Sequence, residues 1–223
     1  MARKLMAAGF TTICCTPHMI KGVYEYSVPE IKSLTEQLQQ QLTANSIELE
    51  LIAGAEYYLD EYLLKLLDEP LPVGDTQQLL IEIPGHAQIE HVKETCSRIK
   101  CSGFTPLIAH PERCRLLELG PGDPAKKSLW GSIFTGKRKA QDSALLDHLR
   151  ATGCKFQGNL GSFAGIYGNS VRDKAISFLQ NGLFDCFGSD AHTPLHLESL
   201  LQHGMQAVQQ IQAENSYGEM DPD

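Results

Sequence analysis

The 223-residue chain has no run near the ~20 consecutive apolar residues that a membrane span needs. Its start, Met1-Ala2-Arg3-Lys4, has neither the long apolar stretch nor the cleavage site of a secretory leader. Its seven cysteines are scattered and form no Cys-x-x-Cys pair, which argues against zinc ribbons and thioredoxin-type motifs; reduced thiols in a cytoplasmic protein are the default expectation. No cysteine is followed six residues later by arginine, so a cysteine-phosphatase loop is excluded, and no Gly-x-Ser-x-Gly elbow is present. Gly131–Lys137 imitates a phosphate-binding Walker loop, but Arg138 stands where Ser or Thr should hold magnesium. A formal net charge of −8 speaks against a general nucleic-acid binder. There is no internal repeat and no low-complexity tract.

What remains is a composition ordinary for a soluble globular protein, with 42% hydrophobic and 21% charged residues. A helix is expected over about 1–8, then a buried strand over 11–16. Strands are further expected at 47–55, 79–83, 105–109, 154–157 and 184–188, separated by helices near 29–44, 59–68, 87–102, 141–152, 169–181 and 194–213. Such alternation implies a parallel sheet. A barrel of this type should open on a strand, so an initial strand is expected to be missing. Residues 119–140, with Gly120-Pro121-Gly122-Asp123-Pro124 and a basic Gly136–Lys139 stretch, are expected to form an inserted loop, disordered or a substrate lid. The barrel domain is then 1–213, with a flexible tail at 214–223.

The chemistry gathers where apolar runs close. Thr16-Pro17-His18, Gly54-Ala55-Glu56, Ile81-Glu82, Ala109-His110-Pro111-Glu112-Arg113 and Ser189-Asp190-Ala191-His192 each end such a run. In a parallel β/α barrel the C-terminal strand ends share one face. His18, Glu56, Glu82, His110, Asp190 and His192 are therefore expected to meet at one mouth, and three His, two Glu and one Asp suit divalent metal and hydrolysis. Each residue also has a plainer reading: Ser189 and Asp190 as a helix cap, the glutamates as structural ion pairs, Glu112 and Arg113 as a surface pair. Arg113 offers a forked donor set suited to phosphate. His86, His91, His148, His196 and His203 read as surface residues.

In this order the motifs resemble the bacterial PHP-domain (polymerase and histidinol phosphatase) tyrosine phosphatases of capsule and exopolysaccharide operons, over about residues 1–205 apart from the insertion. The resemblance implies a distorted (β/α)7-type barrel, here without its first strand, and a trinuclear site supported by manganese, with iron, zinc or magnesium as alternatives. It implies hydrolysis of phosphotyrosine by metal-activated water on a partner such as a bacterial tyrosine autokinase, with control of polysaccharide synthesis or export. Glu56 would bridge two metals; Glu82 and His110 would complete the second, Asp190 would serve the first, and His18 and His192 the third. Arg113 would hold the phosphate, and Ser162, in Gly161-Ser162-Phe163, would lie in the loop beside the substrate. The family's opening Asp-x-His-x-His strand is not in this sequence, nor is an arginine just after Ser-Asp-Ala-His. That departure implies about one bound metal and weak turnover. Two other readings stay open: another PHP phosphoesterase of histidinol-phosphatase type, and a truncated, inactive remnant.

Overall fold

Ser27 and Glu30 set the start of the first long helix. The Ser27 hydroxyl accepts from the Glu30 N–H while the Glu30 carboxylate accepts from the Ser27 N–H, and Pro29 fits the first turn, where its missing N–H costs nothing. Similar local signals set the rest. A computed structural model of the chain describes residues 1–119 and 136–218, and side-chain surroundings over 1–119 and 144–215. In chain order the elements are α1 (Ala2–Ala7), β1 (Thr12–Cys15), β2 (His18–Met19), α2 (Val28–Ala44), β3 (Glu50–Ala53), β4 (Glu56–Tyr58), α3 (Leu63–Leu66), β5 (Gln78–Glu82), α4 (Ile89–Cys101) and β6 (Thr105–Ala109). A 3-10 turn (Pro111–Arg113) follows, then α5 (Gly136–Ala151), β7 (Lys155–Asn159), α6 (Leu160–Phe163), α7 (Asn169–Gln180), β8 (Cys186–Gly188) and α8 (Leu197–Gly218).

The chain divides into two compact units, one of Met1–Ala109 with Ala191–Glu198, the other of His110–Asp190 with the chain from Ser199 on. In the first unit, β1 and β3 form one parallel pair, while β2, β4, β5 and β6 lie in that order in a second parallel sheet. Tyr57, Leu79, Ile81, Val92, Ile99 and Ile108 fill its core, each fully buried. In the second unit β7 and β8 pair in parallel. There Phe163, Phe184 and Phe187 pack at 5.6–5.9 Å between ring centroids, close to the edge-to-face arrangement that aromatic quadrupoles favour.

The parallel α/β expectation holds, and most expected elements appear within a few residues of their anticipated bounds. Two details differ. The strand expected at 11–16 ends at Cys15, and the one expected at 47–55 ends at Ala53. After two linking residues, Thr16-Pro17 in one case and Gly54-Ala55 in the other, the chain moves from the first sheet into the second and starts the short strands β2 and β4. The expected buried strand β1 is also only half-buried, because among the described residues β3 is its sole neighbour. Residues 120–135 of the expected insertion and 219–223 of the expected tail lie outside the described residues, as does most of the Walker-like segment. Helix α5 already begins at Gly136, and α8 runs on to Gly218.

Candidate functional site

Strand register places the first cluster. His18 pairs with Glu56, and Glu56 with Leu80. Register partners share a face, and Glu82, two residues past Leu80, returns to it. The side chains of His18, Glu56 and Glu82 thus project together from three adjacent strands about 4.8 Å apart. One ligand atom from each lies within 4.8 Å of the other two. His18 Nδ1 is 3.8 Å from a Glu56 carboxylate oxygen and 3.9 Å from one of Glu82. Both distances exceed a hydrogen bond, and His18 Nδ1 is buried with no hydrogen-bond partner. Two ligands held ~2.1 Å from one ion lie at most ~4.2 Å apart, and both His18–carboxylate distances fall inside that bound. The donor set, one imidazole and two carboxylates, suits zinc- or manganese-like ions.

Two more aromatic rings flank His18. His192 stacks on it at 5.7 Å between centroids, and Tyr24 at 6.0 Å. Tyr58 is the register partner of Glu82; burial and the neighbouring Glu82 and Asp60 carboxylates hold its phenol above the usual value.

The other expected residues form a second group, in the second unit. His110 and Asp190 both adopt positive φ, 32° and 48°. His and Asp tolerate this left-handed region better than most non-glycine residues. Arg113 Nη1 donates to Asp190 Oδ2 at 2.7 Å, and the guanidinium lies 4.4 Å over the Tyr167 ring. Asn159 Nδ2 donates to the same Asp190 oxygen at 3.0 Å and its Oδ1 caps α6 through the Gly161 N–H. Glu112 accepts from the Asn159 N–H at 3.0 Å and from the Ser162 hydroxyl at 2.7 Å, both on Oε1, while Oε2 is buried with no hydrogen-bond partner. Burial pushes the Glu112 carboxyl up; the Ser162 and Asn159 hydrogen bonds pull it back down in part.

The structure therefore brings His18, Glu56, Glu82 and His192 together in one unit, and Arg113 and Asp190 in the other. His110 is the first residue past β6, buried and left-handed. Ser162, expected to touch substrate, is wholly buried, and its hydroxyl holds Glu112. Glu112 is not a surface partner of Arg113: it is 2% exposed and faces Ser162 and Asn159. Of the five remaining histidines, His86, His196 and His203 are exposed, while His91 and His148 are half-buried. Sequence reading missed Asn159 and Tyr167. Asn159 carries the same signal as the other site residues, since it closes β7, but the strand was expected to stop at residue 157.

A parallel α/β protein with a His–Glu–Glu cluster on three adjacent strands has a set of ligands that could hold a divalent metal. A family model described as "Capsular polysaccharide synthesis, CpsB/CapC" matches residues 1–119, and the chain belongs to that family. The chain is 28% identical over 196 residues to tyrosine-protein phosphatase YwqE of Bacillus subtilis (strain 168), a match covering 86% of this chain and 68% of that protein. It is 36% identical over 114 residues to tyrosine-protein phosphatase CpsB of Streptococcus pneumoniae, covering 49% and 46%. A crystal structure from work on YwqE and CpsB, described as unique metal-dependent tyrosine phosphatases, superposes with a TM-score of 0.75 at 26% identity, over 94% of this chain and 77% of that one. No described helix is long and apolar enough to cross a membrane.

Proposed function

We propose that this chain is a metal-dependent phosphotyrosine-protein phosphatase of the PHP type, with a distorted (β/α)7-type barrel, working in the cytoplasm on a bacterial tyrosine autokinase or similar phosphotyrosine protein and so regulating polysaccharide synthesis or export. The observation that carries this reading is the buried, unpartnered His18 Nδ1 facing the Glu56 and Glu82 carboxylates at 3.8 and 3.9 Å. An imidazole nitrogen with no hydrogen-bond partner, facing two carboxylates beyond hydrogen-bond distance, is an arrangement that a shared cation would organise.

In this reading His18, Glu56 and Glu82 hold a divalent ion, manganese by preference, and His110, Asp190 and His192 are further ligands. When bound, such an ion acidifies a water and neutralises phosphoryl oxygens. The chain's own contribution is positional. Glu56, 5% exposed, opens β4, so the placing of its carboxylate toward the ion follows the geometry of that strand. Arg113 orients the phosphate through its fork of N–H donors; Tyr167 beneath and Asp190 beside it restrict the guanidinium to one plane. Glu112, held by Ser162 and the Asn159 N–H, anchors the turn that carries Arg113.

Release of phosphate from a phosphotyrosine peptide by the 223-residue chain, with and without Mn²⁺, tests the reading. Hydrolysis that depends on Mn²⁺, stops with chelator, and falls at least about a hundredfold in Glu56→Gln is expected. Equal hydrolysis by Glu56→Gln, or activity unaffected by chelator, would sink it.

A further inference from the structure

We propose that Tyr24 is the residue that recognises the aromatic ring of the substrate, so that the turn Ile20–Tyr26 makes this site selective for aryl over alkyl phosphate esters. The inference rests on the function proposed above and adds its specificity determinant.

Three observations carry it. The turn is tightly built: the Ile20 N–H donates to Tyr24 O at 3.1 Å, while the Val23 and Tyr24 N–H groups donate to Ile20 O at 3.0 and 2.8 Å. The Gly22 N–H donates to Glu25 at 2.8 Å, and Lys21 pairs with Glu25 at 2.7 Å. Gly22 supplies the left-handed residue, φ 78°, that this reversal needs. Yet this ordered turn points its apolar side chains outward: Val23 is 65% exposed, Tyr24 46% and Tyr26 45%. A rigid segment that leaves adjoining apolar groups in water is preorganised for a ligand surface. Lastly, the Tyr24 ring stacks on His18, with centroids 6.0 Å apart and planes 25° from parallel, so it borders the metal cluster directly.

A phosphate monoester drawn to a cation held by His18, Glu56 and Glu82 would direct its ester group away from the cluster. The Tyr24 face is an aromatic surface at that border. A phenyl ester gains ring–ring packing there, while an alkyl ester of similar charge does not.

The test uses the whole chain with Mn²⁺ and two probes with the same headgroup, phenylphosphonate and methylphosphonate, with affinities measured by calorimetry. Wild type should prefer phenylphosphonate by about two- to tenfold. That preference should persist in Tyr24→Phe and collapse toward unity in Tyr24→Leu, which keeps apolar bulk at the turn. A ratio unchanged in Tyr24→Leu, no ring preference in wild type, or loss of preference in Tyr24→Phe would overturn the proposal. Binding of neither phosphonate to the Mn²⁺-loaded wild type would instead overturn the metal-site reading beneath it.

Discussion

Arg113 and Glu112 are adjacent in sequence and do opposite work. Arg113 keeps its charge at the surface of its unit, paired with Asp190 and stacked on Tyr167. Lysine there keeps the charge but loses the planar fork and the stack, so Arg113→Lys should raise KM for an aryl phosphate by about tenfold while leaving the metal content per chain unchanged. Steady-state kinetics beside elemental analysis of the same samples decides this, and an unchanged KM removes Arg113 from the site. Glu112 is interior and acts as an acceptor. Gln keeps the Oε1 that receives the Ser162 and Asn159 donors, so Glu112→Gln should unfold in urea close to wild type. Glu112→Leu strands two buried donors and should lose about 1–3 kcal/mol. Equal stability of the two variants would contradict the hydrogen-bond role assigned to Glu112. Nothing in the local sequence announces this: Ser162 is fifty residues away, and His-Pro-Glu-Arg reads as well with the acid outside as inside.

At the level of elements, the transfer of the chain between two sheets decides where the candidate ligands His18 and Glu56 stand. The two crossings run side by side, with the Gly54 N–H on Cys15 O at 2.9 Å and the Glu56 N–H on Pro17 O at 3.0 Å. A Cβ on Gly54 would meet Cys14 Sγ at 2.7 Å and Thr16 Cγ2 at 3.1 Å. Gly54→Ala must therefore push the crossings apart, costing about 1–3 kcal/mol and weakening Mn²⁺ binding together. Urea unfolding and a Mn²⁺ titration of the same variant check the pair of effects; lost stability with unchanged Mn²⁺ affinity would separate crossing from site. The long elements were readable because their signals are local. Helix α2 declares itself through Ser27, Pro29 and Glu30, and β6 through the apolar run between Gly103 and His110. Strands β2 and β4, two and three residues long, are too short to show a period of two. His18 and Glu56 thus stood out as candidate ligands from their place after apolar runs, while the strands that carry them did not.

For the molecule as a whole, an ion bound as proposed would be a source of stability for the unit that contains His18, Glu56 and Glu82. Mn²⁺ at about a hundred times its dissociation constant should add about 2.7 kcal/mol, seen as a rise in Tm. A net charge of −8 favours cation uptake in general, so the discriminating measurement is the same melt on Glu56→Gln, where the rise should vanish. A full rise in that variant would assign the effect to nonspecific surface binding. Strand β2 gives this stabilisation a location. Only its pairs His18–Glu56 and Met19–Tyr57 join it to β4, and among the described residues it has no other neighbour in its sheet. Strand β5, by contrast, lies between β4 and β6. So short a margin should open readily: its amides are expected to take up deuterium quickly in chelator and slowly once Mn²⁺ is added, while those of Leu79–Ile81 hardly change. Bound there, the ion would be a rivet as well as a reagent, and metal starvation would switch the proposed site off by fraying one margin while the rest of the protein stays folded.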